Sequence, residues 1–111
     1  MARCEQGYLC EVCRAEVEDV TQSDLYLAYV LGEVPGEELL QRPERHIVCN
    51  PERAQYIVDA NFPPVRCAGA FDKAGLDASY VAQETARVTR AWRRLCEVRA
   101  LGLPIEEYPL A

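Results

Sequence analysis

The sequence predicts a small α+β domain with a long C-terminal helix. Three observations carry this reading. Residues 78–101 hold an apolar stripe at helical spacing behind a capping aspartate. Residues 15–20 partly alternate apolar with acidic side chains, which is the pattern of a half-buried strand. The chain has 111 residues, enough for one domain and short for two. A single unit over residues 1–111 is expected, divided into a first half at 8–59 and a second at 60–111.

Taken in order, the elements follow from punctuation as much as from periodicity. Gly7 precedes Tyr8-Leu9, and Cys10-Glu11-Val12-Cys13 can fold as a tight knuckle before the strand at 15–20. Leu25 to Leu31 is apolar all round, so periodicity does not separate helix from strand. A cap at Thr21 or Ser23 and a left-handed stop at Gly32 favour helix over 24–31, with strand as the alternative. Pro35-Gly36 makes a turn, Glu37 to Gln41 one helical turn with acids at its start, and Pro43 ends it. Asn50 as N-cap and Pro51 at the first position open a helix over 51–59, with Ala54, Ile57 and Val58 on one face. Val65 and Cys67 fit a short strand, with turns at Gly69 and Gly75. Asp77 then caps the helix at 78–101, whose stripe is Val81, Thr85, Val88, Trp92 and Leu95. Gly102 and Pro104 stop it, and residues 103–111 read as an extended tail.

The six cysteines decide the chemistry. Residues 1–20 lack the apolar core of a secretory signal, and the longest apolar run, Leu25 to Leu31, is seven residues, far short of a membrane span. A cytoplasmic setting with reduced thiols is therefore expected, and metal binding ranks above a disulfide framework. Cys10 and Cys13 are separated by two residues, as are His46 and Cys49, and residues 14–45 lie between the pairs. Zinc takes cysteine sulfur and histidine nitrogen in a tetrahedron, and two short-gap pairs supply four such ligands. The helix start at Asn50-Pro51 adds a dipole that favours thiolate. One structural zinc ion held by Cys10, Cys13, His46 and Cys49 is expected. Cys67 is the main competitor for the fourth position and Cys4 the next, while Cys96 reads as a small core residue beside the apolar stripe.

At these residues the chain resembles the treble-clef class of zinc fingers: a zinc knuckle, an intervening region, then two ligands at the start of a helix. The resemblance covers residues 8–59. Two features depart from that class. Arg14 stands where a glycine commonly follows the second knuckle cysteine, and a helix is expected between the pairs where the class has a β-hairpin. Treble clefts serve as nucleic-acid binders, protein adaptors and parts of enzymes, so the resemblance implies a zinc domain without selecting its task.

Catalysis is not expected. The chain lacks a phosphate-binding glycine loop, a nucleophile elbow and a His-Glu-x-x-His motif. Val48 occupies the position where zinc deaminases place glutamate after the histidine. A set of three cysteines and one histidine fills all four zinc positions. Glu37-Glu38 and Glu106-Glu107 read as solvated surface charge. The net charge of −6 is split between −7 over residues 1–60 and +1 over residues 61–111. Such a chain is a poor binder of anionic membrane or nucleic acid, so another protein is the expected partner. The alternative is a nucleic-acid-binding or transcription-regulating finger that uses Arg87, Arg90, Arg93, Arg94 and Arg99 of the long helix. Against it stands the plainer expectation that these arginines are solvated or pair with acids of the first half.

Overall fold

The structure, a computed structural model, describes residues 8–109. The expected strand at 15–20 is shorter than its alternation suggests. Strand β1, Tyr8–Leu9, pairs antiparallel with β2, Glu16–Val17, in the register Tyr8 with Val17 and Leu9 with Glu16. Val17 is buried, but Glu18 donates its N–H to the Gln22 side chain and residues 20–22 turn into a 3-10 helix, so the ladder stops there.

Residues 24–31 resolve as helix. Helix α1 is Asp24–Val30, and the Ser23 hydroxyl caps it by accepting the Tyr26 N–H at 3.0 Å. Gly32 leaves the helix with a φ of 82°, a conformation that costs glycine nothing because it lacks a Cβ. No β-hairpin lies between the two ligand pairs among the described residues; α1 and a 3-10 turn at Gly36–Glu38 occupy that segment.

The helix expected at 51–59 is cut to one turn, α2, Pro51–Ala54. Two side chains divert its backbone. The Val58 N–H, which a continued helix would aim at Ala54, instead donates to the Thr89 hydroxyl at 3.0 Å, and that hydroxyl donates to the Tyr56 carbonyl at 2.9 Å. Gln55, almost fully buried, donates its amide N–H to the Phe71 carbonyl and accepts the Lys73 N–H. The expected strand around Val65 and Cys67 does not form; no backbone ladder pairs with it, and the segment runs irregularly to a 3-10 turn at Lys73–Gly75.

Helix α3, Ala78–Leu101, matches its expected limits. The Asp77 side chain accepts the Tyr80 N–H, and Gly102 closes the helix at φ 65°. Its buried face is Val88, Ala91, Trp92, Leu95 and Val98, while Val81 and Thr85 at the N-terminal end of the expected stripe are only half-buried. This face packs against α1 and the 3-10 turn at 20–22, and the core joins Leu25, Leu27 and Ile47 to Val88, Leu95 and Val98. Trp92 lies edge-on to Phe62 at 5.2 Å and donates its indole N–H to the Thr21 carbonyl.

The tail is not extended throughout. Ile105–Glu107 forms a 3-10 turn, and buried Tyr108 packs beside Tyr26 and Tyr29. Arg94 holds this turn by donating to the carbonyls of Glu107 and Tyr108. Residues 110–111 lie outside the described residues.

The arginines of α3 are largely engaged within the chain. Arg87 bridges Glu84 and Glu33, Arg93 meets Asp59 at 2.7 Å, Arg94 meets Glu97, and Arg99 lies 3.8 Å from Asp19. Arg90 is exposed and has no ion pair among the described residues.

Candidate metal centre

The antiparallel pairing of β1 and β2 brings residues 9 and 16 side by side, so the six residues between them must reverse the chain tightly. The Cys10 carbonyl accepts the Arg14 N–H at 2.9 Å, and the Cys10 N–H donates to the Ala15 carbonyl at 2.8 Å. This reversal puts Arg14 at φ 69°, the one described non-glycine residue with positive φ. A left-handed conformation costs an L-residue about 1–2 kcal/mol. Arg14→Gly is therefore expected to raise stability by up to about 1 kcal/mol once glycine's greater unfolded-state entropy is deducted, read as a higher urea midpoint with unchanged metal content. An unchanged or lower midpoint would show that the Arg14 side chain contributes more than its backbone costs.

The second pair is placed by α1 and α2. Ser23 and His46 form an isolated antiparallel bridge, and the Asp24 N–H donates to the Arg45 carbonyl at 2.8 Å. Buried Glu44 receives the Ser23 hydroxyl at 2.7 Å, while its carbonyl accepts the Glu11 N–H from the knuckle. Burial pushes the Glu44 carboxyl above the usual glutamate range. Residues 47–49 then make a 3-10 turn that delivers Cys49 to the start of α2.

Cys10, Cys13, His46 and Cys49 converge, with one ligand atom from each lying within 4.8 Å of all the others. Nδ1 of His46 is 3.3 Å from the Cys13 sulfur and 3.9 Å from the Cys49 sulfur. A tetrahedral ion with ordinary sulfur and nitrogen bond lengths sets such atoms about 3.6 Å apart, between the two observed values. The donor set therefore fits a metal ion without rearrangement of the backbone.

The histidine is oriented for this role. Its Nε2 lies 2.8 Å from the Glu16 carbonyl, which can only accept, so Nε2 carries the proton and Nδ1 presents its lone pair to the sulfurs. The sulfurs differ in their surroundings. Burial works against ionising Cys10, but N–H groups of Cys13, His46 and Val12 outweigh it and hold its thiol below the usual range. For Cys49, burial and the neighbouring sulfurs of Cys10 and Cys13 push the thiol well up. Three thiolates so close repel one another, and a cation among them removes that repulsion.

Cys67 is buried and its thiol lies near the Ala68 carbonyl, and Cys96 is half-buried on α3; neither joins the cluster. Cys4 lies outside the described residues. What the sequence could not announce are the backbone contributors: the Glu16 carbonyl that fixes the His46 ring and the N–H groups around Cys10. The glutamate at 44 gave no signal either, because a lone carboxylate in a polar run looks like surface.

No protein-family model, curated protein or solved structure matches the chain. No helix among the described residues is long and apolar enough to cross a membrane.

Proposed function

We propose that the chain is a non-catalytic binding module in which Cys10, Cys13, His46 and Cys49 hold one structural zinc ion, and that its partner is another protein. The observation that carries this reading is the convergence of three sulfurs and an imidazole nitrogen from two separate segments. Thiolate-rich sets of this kind favour zinc, and the single histidine argues against an iron–sulfur cluster, whose ordinary ligands are four cysteines. Four protein ligands leave no open position for a reacting water. His46, the one histidine, has both ring nitrogens engaged, Nδ1 among the sulfurs and Nε2 on the Glu16 carbonyl, so no imidazole remains for proton transfer. The knuckle hairpin and the second ligand pair leading into α2 support a treble-clef-like arrangement, with α1 in place of that class's second hairpin. A cytoplasmic location agrees with the use of reduced thiols as ligands.

Protein binding is preferred to nucleic-acid binding because four of the five arginines on α3 already face carboxylates of this chain, and the net charge is −6. The test has two arms. Elemental analysis of the purified chain is expected to find close to one equivalent of zinc, unchanged in Cys67→Ser and in Cys96→Ser; loss of zinc in either variant would change the ligand set. Capture from a native lysate is then compared with binding to duplex and single-stranded nucleic acid at two salt concentrations. Steeply salt-dependent nucleic-acid affinity with no captured protein would replace the proposed function by its alternative.

A further inference from the structure

Beside the metal centre lies a cavity of about 380 Å³ whose walls come from both ligand-bearing segments and from residues 62–63. Its floor is apolar: Ile47, Val48, Phe62 and Pro63. Phe62 is fixed there by the edge-on contact with Trp92, and Ile47 is fully buried, so the floor exists without an occupant. Val48, on the turn between His46 and Cys49, is 45% exposed. The polar groups around the cavity are mostly committed. The Glu16 carbonyl is taken by His46, the Gln22 side-chain oxygen by the Glu18 N–H, and the Thr21 carbonyl by Trp92. What remains available is apolar surface, the Gln22 amide N–H and two carboxylates, Glu16 and Glu18, both exposed and neither in an ion pair among the described residues. No lysine or arginine lines the cavity.

We propose that this cavity receives a segment of a partner protein in which one apolar side chain is flanked by lysine or arginine. The inference deepens the protein-binding reading above and rests on it. Charge complementarity selects the occupant. An apolar floor with an acidic rim and no cation attracts a basic segment, and repels an acidic one, while the floor desolvates the anchor. The volume sits at the small end of ligand pockets, about 300–1,000 Å³, which suits one anchoring side chain with its neighbours. A small anionic ligand is poorly served, because the free charges on the rim are carboxylates and no lysine or arginine lines the cavity.

The test uses the full-length, metal-loaded chain with methyl resonances of Ile47 and Val48 as reporters. Three synthetic peptides serve as probes: Lys-Lys-Leu-Lys-Lys, the same frame with serine in place of leucine, and the same frame with glutamate in place of lysine. The leucine–lysine peptide is expected to move both reporters and to bind at least about tenfold more tightly than either control, the scale of one lost anchor or one lost charge pair. The double variant Glu16→Lys with Glu18→Lys is expected to invert the preference between lysine and glutamate frames. Its metal content and urea midpoint should match wild type, since both side chains are exposed and the contact of residue 16 with His46 is made by the backbone carbonyl, which the substitution keeps; if it fails to fold or loses metal, Glu18→Gln replaces it and should weaken the lysine frame alone. Equal binding of the serine frame removes the anchor, equal binding of the glutamate frame removes the charge argument, and unmoved reporters remove the cavity. Self-association that covers Ile47 and Val48 would also overturn the proposal, in favour of a second copy. Lysate capture separates this inference from its parent: a partner held equally by wild type and the double variant leaves the protein-binding reading standing and the cavity refuted. No captured partner and no peptide response would remove both.

Discussion

Cys49→Ser is expected to release the metal and unfold the chain. Serine is a poor zinc ligand at neutral pH, and the three remaining donors would lose the sulfur that joins the knuckle to the start of α2. Structural zinc in small fingers contributes about 10–16 kcal/mol of apparent binding energy, against about 5–15 kcal/mol for the whole stability of a domain. Loss of the ion therefore exceeds what the core of a short chain can absorb. The expected record is near-zero zinc by elemental analysis, low soluble yield and a far-ultraviolet spectrum with helix confined to what α3 keeps. Cys67→Ser, prepared alongside, should retain its metal. A full equivalent of zinc in Cys49→Ser together with loss in Cys67→Ser would move the site. Acidification should act in the same direction as the mutation, because protons compete with the ion for thiolate and imidazole.

Trp92→Ala should be the most damaging change outside the metal centre. The ring is buried on α3, lies 5.2 Å from Phe62, and its N–H satisfies the Thr21 carbonyl. Removing a buried tryptophan opens a large cavity and costs about 3–5 kcal/mol; here a carbonyl also loses its donor. Urea unfolding of the metal-loaded protein measures the loss. Trp92→Phe should recover most of the packing but not the hydrogen bond, and so fall between the two. If Trp92→Ala costs less than about 1 kcal/mol, the contact between α3 and the 20–22 turn is not a principal support of the fold.

The long helix and the convergence of Cys10, Cys13, His46 and Cys49 were legible because each rests on a local signal. Asp77 and Gly102 act within a turn of the residues they cap, and a two-residue gap between ligands is a property of the chain itself. Ser23 and Gly32 were enough to bring an all-apolar stretch down on the side of helix. The failures share another cause. Helix α2 stops after one turn: the Gln55 side chain takes the Glu52 carbonyl, the Tyr56 and Ile57 N–H groups bond carbonyls only three residues back, and Thr89, thirty-one residues beyond Val58, takes the next N–H. The strand around Cys67 is absent because no neighbouring strand lies beside it, and the long-range bonds that hold the following segment, from Gln55 to Phe71 and Lys73, come from a side chain sixteen or more residues away in the chain. Tyr108 folds back onto Tyr26 and Tyr29 through contacts that no window of sequence contains. Arg14 shows the reverse case: a residue that departs from the glycine of the treble-clef pattern adopts, at φ 69°, the conformation that glycine would take, within the hairpin between β1 and β2.

Through the bridge between Ser23 and His46, an ion held by Cys10, Cys13, His46 and Cys49 would have a hand in when α1 forms, not only in how firmly it stays. A seven-residue helix has almost no population on its own, since nucleation is unfavourable and too few residues follow to recover it. Its first turn is held by the segment just ahead of Cys49: the Arg45 carbonyl receives the Asp24 N–H, and Glu44 receives the hydroxyl of the capping serine. That segment is itself pinned by closure of the loop that runs from Cys13 to His46, and the entropy of such a closure rises only slowly with length. Withdrawal of such an ion would loosen both ends of this loop at once, leaving contacts such as the Glu11 N–H on the Glu44 carbonyl to hold them. Amide protons of α1 should then exchange with solvent much faster than those in the middle of α3, whose twenty-four residues carry their own caps at both ends.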